Sequence, residues 1–301
     1  MTDHAHTHQA EEDSRNEQIL IHVNGKILPK AQALVSVYDA GFMLGDGVWE
    51  GIRLYDGRWA FLDEHLERLF EAAKAIDLDI GQTPAQIAQS LRDLQKANGM
   101  ETDAHARLMV TRGVKTRPFQ HPRLSQQGPT VAIIMEHSRP KIPRPIRLAT
   151  VPHMRGLPMT QDPKLNSHSK LNCILACIAA EKAGADEALM LDVHGFVNTT
   201  NACNFFIVRK GEVWTSTGDY CMNGITRAKV IRLCRDNGIP VFERNFSLVE
   251  VYSAEEAFLT GTFGAQTPVG LIDGRQIGTG QMGPMTQRLR GLYKELVKSC
   301  G

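Results

Sequence analysis

Three prolines stand within nine residues near the middle of this 301-residue chain, in His137-Ser-Arg-Pro-Lys-Ile-Pro-Arg-Pro145. Proline fixes φ and lacks a backbone N–H, so neither a helix nor an interior strand runs through this stretch. The chain therefore reads as two units: an N-terminal domain over 19–136, a linker at 137–145 and a C-terminal domain over 146–301. The length agrees, at roughly 100–200 residues per domain, and each half can bury its own core.

Local signals fill in the two halves. Asn24-Gly25 lies between Ile21-His22-Val23 and Ile27-Leu28, a hairpin signature. Val48 to Leu54 reads as a strand that turns at Asp56-Gly57 into a second strand, Arg58 to Leu62. From Asp63 the apolar residues Leu66, Leu69, Phe70, Ala73 and Ile76 fall on one helical face. Thr83-Pro84 opens another helix, which stops at Gly99. Strands are expected at Ala106–Thr111 and Thr130–Glu136. Beyond the prolines the reading is strand 146–150, helix 169–184, strand 187–192, a hairpin turning at Lys210-Gly211, and helix 226–237. Sheets with helices packed on them follow, an α/β (α+β) class rather than a helical bundle.

Composition excludes several functions. Lys and Arg total 34 against 33 Asp and Glu, a net charge of +1. A general nucleic-acid or membrane-surface binder needs a basic excess. No apolar run approaches about 18 residues, so no membrane span is expected. Six cysteines, none in a CxxC pair, make no disulfide scaffold, and a reducing cytoplasm fits. Cys173 and Cys177 share a helical face and read as small core residues. Residues 1–18, with His4, His6 and His8 among acidic neighbours and no apolar secretory segment, read as a disordered, solvated arm. No resident metal is expected.

Four segments carry chemistry. Asn223-Gly-Ile-Thr-Arg227 places a glycine and two amides at a helix start, which serves either as a plain cap or as an anion site. Leu259-Thr-Gly-Thr-Phe-Gly264 offers hydroxyls after a strand, or a simple turn. Val48-Trp-Glu-Gly-Ile-Arg53 sets an arginine in an apolar strand, where it needs a phosphate or a structural carboxylate as partner. Asp162-Pro-Lys-Leu-Asn-Ser-His-Ser-Lys-Leu-Asn172 holds two lysines before an apolar helix, either solvated or available as a Schiff-base nucleophile.

In this order the segments resemble the fold-type IV pyridoxal-phosphate enzymes, a group of branched-chain aminotransferases, D-amino-acid aminotransferases and aminodeoxychorismate lyases. The resemblance is carried by Tyr38-Asp-Ala-Gly-Phe-Met-Leu-Gly-Asp-Gly-Val-Trp-Glu-Gly-Ile-Arg53, Leu62-Asp-Glu-His-Leu-Glu-Arg68, Gly184-Ala-Asp-Glu-Ala188, Gly224-Ile-Thr-Arg227, Ala257-Phe-Leu-Thr-Gly-Thr262 and Pro268-Val269. It implies a two-domain architecture, an N-terminal α/β sandwich and a C-terminal pseudo-barrel with flanking helices, with pyridoxal 5'-phosphate in the cleft between them. It implies a homodimer and a phosphate cup of Arg53, Ile225, Thr226 and Thr262. Arg117 and Tyr38 are the implied substrate-binding residues.

Two positions depart from the family pattern. Counting back from Gly184 puts Asn166 at or next to the place where the family's catalytic lysine stands. Lys170 lies four residues on, one helical turn or ~6 Å, a distance an extended lysine side chain spans. Lys170 is therefore the expected catalytic amine and Lys164 the other candidate; a site with no covalently held cofactor is the third possibility. Thr199 falls where the family carries a glutamate beside the pyridine nitrogen. A hydroxyl bonds that nitrogen but supplies no negative charge to keep it protonated. The expected function is amino transfer between an amino acid and a 2-oxo acid, branched-chain-like or D-amino-acid-like. The alternatives are a lyase of the same cofactor, or a relative that only binds it.

Overall fold

A computed structural model describes residues 5–141 and 144–300. The chain divides into two compact units: Glu11–Arg139 with Leu165–Lys170, and residues 5–10 with Pro140–Lys164 and Leu171–Ser299. The break between Arg139 and Pro140 falls just before the first of the three prolines.

The N-terminal unit is an antiparallel sheet of six strands: β1 (Leu20–Val23), β2 (Lys26–Pro29), β3 (Gly47–Tyr55), β4 (Arg58–Trp59), β5 (Ala104–Thr111) and β6 (Thr130–His137), in the order β2-β1-β6-β5-β3-β4. The β1–β2 turn puts Asn24 and Gly25 at φ 48° and 81°, the two left-handed residues a tight hairpin needs. A short helix α1 (Ala40–Leu44) precedes β3. Helices α2 (Leu62–Ala75) and α3 (Pro84–Ala97) bury Leu66, Leu69, Ile87, Leu91 and Leu94 against Ile52, Leu54, Leu108 and Ile133 of the sheet. Each such side chain contributes about 1.5–3 kcal/mol on leaving water. Thr83 accepts the Gln86 N–H, and the Gln86 side chain reaches back to the Thr83 N–H, closing a capping box on α3. Strand β4 is shorter than the sequence pattern predicts, because Phe61 turns left-handed (φ 55°) and α2 takes over at Leu62.

The C-terminal unit has nine strands: β7 (Ile146–Thr150), β8 (Glu187–Leu191), β9 (Val197–Thr200), β10 (Asn204–Arg209), β11 (Glu212–Thr215), β12 (Val241–Glu243), β13 (Glu256–Gly261), β14 (Ala265–Ile272) and β15 (Arg275–Gln276). Six of them, β10-β13-β14-β7-β8-β9, close on themselves where Asn204 pairs with Thr199. The result is the expected barrel-like sheet. Its helices are α4 (Pro158–Gln161), α5 (Leu171–Lys182), α6 (Ile225–Asp236), α7 (Leu248–Tyr252) and α8 (Pro284–Ser299). Along β10 and β13 the residues alternate. Phe205, Ile207 and Leu259 enter the interior cluster with Leu148 and Leu189, whereas Phe206, Val208 and Phe258 meet Val230 and Ile231 of α6 and Leu289 of α8.

Three expectations are corrected. The arm is not solvated throughout: Ala5 and Thr7 are buried, because Asp186 and Glu187 accept their backbone N–H groups, and Ser14–Glu17 forms a 3-10 turn. His4 lies outside the described residues, among which no His/Cys/Asp/Glu group could hold a metal. Cys173 and Cys177 are not core residues. Helix α5 meets β7 and β8 through Ala176 and Ala180, so Cys173 is half-buried and Cys177 exposed. Finally, Leu165–Lys170 packs with the N-terminal unit, inside the range assigned to the C-terminal one. No helix among the described residues is long and apolar enough to cross a membrane.

Candidate active site

In the C-terminal unit the site is built on the start of α6. Gly224 is the N-cap, in an extended conformation, and has no side chain with which to cap. The first-turn amides, those of Ile225 and Thr226, have no carbonyl partner inside the helix, and the positive end of the helix dipole lies with them. Glycine is required here sterically: a Cβ at 224 would lie 2.3 Å from Asn204 Oδ1. Asn204 holds the loop in turn, its Nδ2 donating to the Met222 carbonyl at 2.9 Å. Arg227 is spent locally, donating to the Ser216 carbonyl (2.7 Å) and to Glu243 (2.9 Å). The buried Thr226 hydroxyl lies 3.5 Å from the Tyr293 hydroxyl of α8. Thr262 occupies the β13–β14 turn.

Strand register adds residues the sequence did not point to. Thr199 is opposite Asn204, Asn204 opposite Thr260, and Thr260 opposite Gln266, giving one polar row across β9, β10, β13 and β14. All four are buried. Thr260 Oγ1 and both polar atoms of the Gln266 amide have no hydrogen-bond partner among the described residues. A buried polar group left without a partner costs about 1–3 kcal/mol. Thr199 donates its hydroxyl proton to the Cys203 carbonyl at 2.5 Å, so toward a guest it can only accept.

In the N-terminal unit the segment 165–170 lies along the start of β3. Trp49 N–H donates to the Asn166 carbonyl (2.9 Å) and Asn166 Nδ2 to the Trp49 carbonyl (2.6 Å). Asn166 Oδ1 is buried and has no partner among the described residues. His168 N–H donates to the Gly47 carbonyl at 2.9 Å. The segment ends at Lys170, half-buried, with its ammonium 5.7 Å from the centroid of the Trp49 ring. Lys164 is exposed. The Trp49 ring meets a second cation, the Arg107 guanidinium, whose central carbon lies 3.8 Å from the centroid. Burial lowers the Arg107 pKa, and no carboxylate pairs with it among the described residues. Burial, then the charges of Arg107 and Lys170, holds His168 below the usual histidine range.

Arg53, expected in the phosphate cup, lies inside the N-terminal unit. Its side chain is 1% exposed; Nη1 donates to the Ser138 carbonyl and Nη2 lies 3.6 Å from Asp103. Tyr55 covers the guanidinium at 5.1 Å. The strand arginine thus has the structural partner that its pattern left open. Glu50, on the opposite face of β3, is gripped by Arg68 Nε and Nη2 at 2.7 and 2.6 Å and by His65 Nδ1 at 2.7 Å. Burial pushes the Glu50 carboxyl up, but His65 and Arg68 together outweigh it and hold its pKa below the usual value. Tyr38 is exposed beside α1, its carbonyl accepting the Lys115 N–H. Arg117 stands exposed on the loop after β5.

The model of the amino-transferase class IV family matches residues 47–272, well over half the chain. The chain belongs to that family. It is 40% identical over 95% of its length to "Branched-chain-amino-acid aminotransferase-like protein 2" of Arabidopsis thaliana, but spans only 52% of that relative. It is 38% identical to a "Putative branched-chain-amino-acid aminotransferase" of Methanocaldococcus jannaschii, covering 93% of this chain and 97% of the other. Among solved structures, a branched-chain amino acid aminotransferase of T.th. with pyridoxamine 5'-phosphate superposes with a TM-score of 0.87 at 31% identity, covering 93% and 94% of the two chains.

Proposed function

We propose that this chain is a pyridoxal-phosphate-dependent aminotransferase, moving an amino group between an amino acid and a 2-oxo acid of the branched-chain type. One observation carries the reading: an uncapped helix start stands beside a row of buried polar side chains, three of whose polar atoms have no partner among the described residues. Such a lining fits a guest that is anionic at one end and polar around its rim. Pyridoxal 5'-phosphate is such a guest; the amides of Ile225 and Thr226 and the hydroxyls of Thr226 and Thr262 would hold its phosphate. When bound it supplies an electrophilic carbonyl and a ring that spreads charge from the substrate's α-carbon.

The chain's own residues do the rest. Lys170 is the proposed catalytic amine, its Nζ holding or releasing the proton that moves. Trp49 shields it from water on one side. Thr199, its own proton on the Cys203 carbonyl, would accept from the ring nitrogen only when that nitrogen is protonated. Arg107 binds the substrate carboxylate, because a half-buried guanidinium with an aromatic neighbour and no carboxylate among the described residues is arranged for an incoming anion. Arg117 and Tyr38 are secondary substrate contacts. We further propose a homodimer. Leu171, Ile174, Leu175 and Ile178 of α5, like Leu34, Val37 and Phe42 near α1, are large, apolar and exposed. A cytoplasmic location fits a chain with no disulfide among its described residues.

Borohydride reduction of the cofactor-loaded protein, followed by peptide mapping, is expected to leave the pyridoxyl group on Lys170. Label found only on another lysine rejects that assignment. Absence of any absorbance change on adding the cofactor rejects the whole reading. The missing carboxylate at Thr199 favours a second reading, a lyase. It wins if an amino-acid donor yields carbonyl product and ammonia without accumulation of pyridoxamine phosphate.

A further inference from the structure

The N-terminal arm plays no part in the proposed reaction, yet it is tied into the C-terminal unit. Ala5 enters the interior cluster with Leu148, Leu189, Phe205 and Leu259. Its N–H donates to Asp186 at 3.3 Å, a carboxylate that Arg144 and Arg147 also hold. Thr7 is 2% exposed, and both its N–H and its hydroxyl donate to Glu187 Oε1, at 2.7 and 2.5 Å. The His8 ring stacks on Phe263, with centroids 6.0 Å apart and planes 26° apart. The Gln9 carbonyl accepts the Lys141 N–H at 2.9 Å.

The arm reaches two turns that carry candidate cofactor residues: Ala5 shares its apolar cluster with Cys203, and the His8 ring stacks on Phe263. Cys203 closes the first, its carbonyl accepting the hydroxyls of Thr199 and Thr200 at 2.5 and 2.9 Å. Phe263 lies in the second, directly after Thr262. The two turns touch: a Cβ on Gly261 would lie 2.9 Å from Cys203 Sγ. Burial and then the Glu187 charge push the Cys203 thiol up to about 12, with Thr7 acting against them.

We propose that Thr7 and His8 are positioning residues for the cofactor: the arm clasps the 200–203 and 261–264 turns and fixes Thr199 and Thr262 for a phosphorylated pyridine ring. This rests on the cofactor reading above. The physical basis is population. A turn that adopts its binding geometry only part of the time lowers apparent affinity by that fraction. The arm removes alternatives from both turns without touching the ligand.

The test uses the full chain and four variants: Thr7→Val, Thr7→Ser, His8→Ala and deletion of residues 2–9. Cofactor affinity and release rate are followed by visible absorbance, and thermal unfolding is measured on the cofactor-free proteins. Thr7→Val and the deletion are expected to weaken binding about tenfold and to speed release, with His8→Ala weaker by about threefold. Thr7→Ser keeps the hydroxyl and is expected to stay within about twofold of the parent. A merely structural arm would lower the melting temperature of the cofactor-free variants and leave their affinities unchanged; that result overturns the proposal. If the deletion fails to fold, the Thr7→Val and Thr7→Ser pair decides it. If the parent chain binds no cofactor, the site reading falls and the clasp with it. If the parent binds and every variant matches it, the clasp alone falls.

Discussion

Arg53 and Arg107 sit on neighbouring strands of one sheet and on one face of it. Gly51 pairs with Arg107 and Arg53 with His105, and opposed or alternate residues share a face. Their surroundings differ. Arg53 has a carbonyl from Ser138, a carboxylate from Asp103 and the Tyr55 ring within reach, all from its own unit. Arg107 has the Trp49 ring and no carboxylate among the described residues. A guanidinium with a carbonyl and a carboxylate already beside it serves the fold. One that is desolvated and left to an aromatic face is open to an anion from outside. Sequence context does not separate the two: Arg53 stands between Ile52 and Leu54, Arg107 between Ala106 and Leu108.

The comparison breaks first on stability. Arg53→Met is expected to destabilise the protein by about 3 kcal/mol, since it strands the Ser138 carbonyl and removes a fully packed side chain. Arg107→Met is expected to change stability by less than about 0.5 kcal/mol, because no protein acceptor loses its donor. Urea unfolding of the two variants side by side measures the contrast. Equal losses would show that Arg107 is also structural, and its assignment to substrate would have to be withdrawn.

The roles reverse when substrate binding is read. Arg107→Met is expected to raise KM for the 2-oxo acid by about tenfold, the loss of one charge-assisted carboxylate contact of ~1.4 kcal/mol. Arg53→Met, assayed below its melting temperature, is expected to leave KM unchanged. A KM effect confined to Arg117→Met would move the carboxylate site to the loop after β5.

The same contrast explains how far the sequence could be read. Helix α3 was legible from end to end because its signals are local: Thr83-Pro84 starts it, and Gly99, at φ 60°, follows its end. The barrel was legible only through the family resemblance, since its closure depends on Thr199 meeting Asn204 across a turn whose pairing no periodicity announces. The row of Thr260 and Gln266 was missed for the same reason, as register decides which residues face each other. The arm read as solvated because it is polar, and its acceptors, Asp186 and Glu187, lie far away in sequence, 181 and 180 residues from Ala5 and Thr7. Cys173 and Cys177 were placed on the right element but on the wrong side of it. An apolar helix carries no stripe to orient it, and the alanines packed closest to the sheet.

The smallest expected effect is also the most local. His168 is held below the usual histidine range by burial first, then by the charge of Arg107, with Lys170 adding to it. Because the folded pKa lies below the unfolded value, the unfolded chain takes up this proton more readily. The contribution to stability is therefore intact above the unfolded pKa of about 6.5 and declines as pH falls below it, levelling off once the folded pKa is passed. Arg107→Met removes one of the repelling charges and is expected to raise the His168 pKa, flattening that decline. Arg53→Met is expected to leave it alone, because the Arg53 guanidinium is held beside Ser138 and Asp103. Titration of the His168 ring by NMR in the two variants reads the difference. An upward shift in Arg107→Met alone ties His168 to the cation on Trp49, whereas identical titrations would mean that burial alone sets it and that the Arg107 charge is screened where it matters.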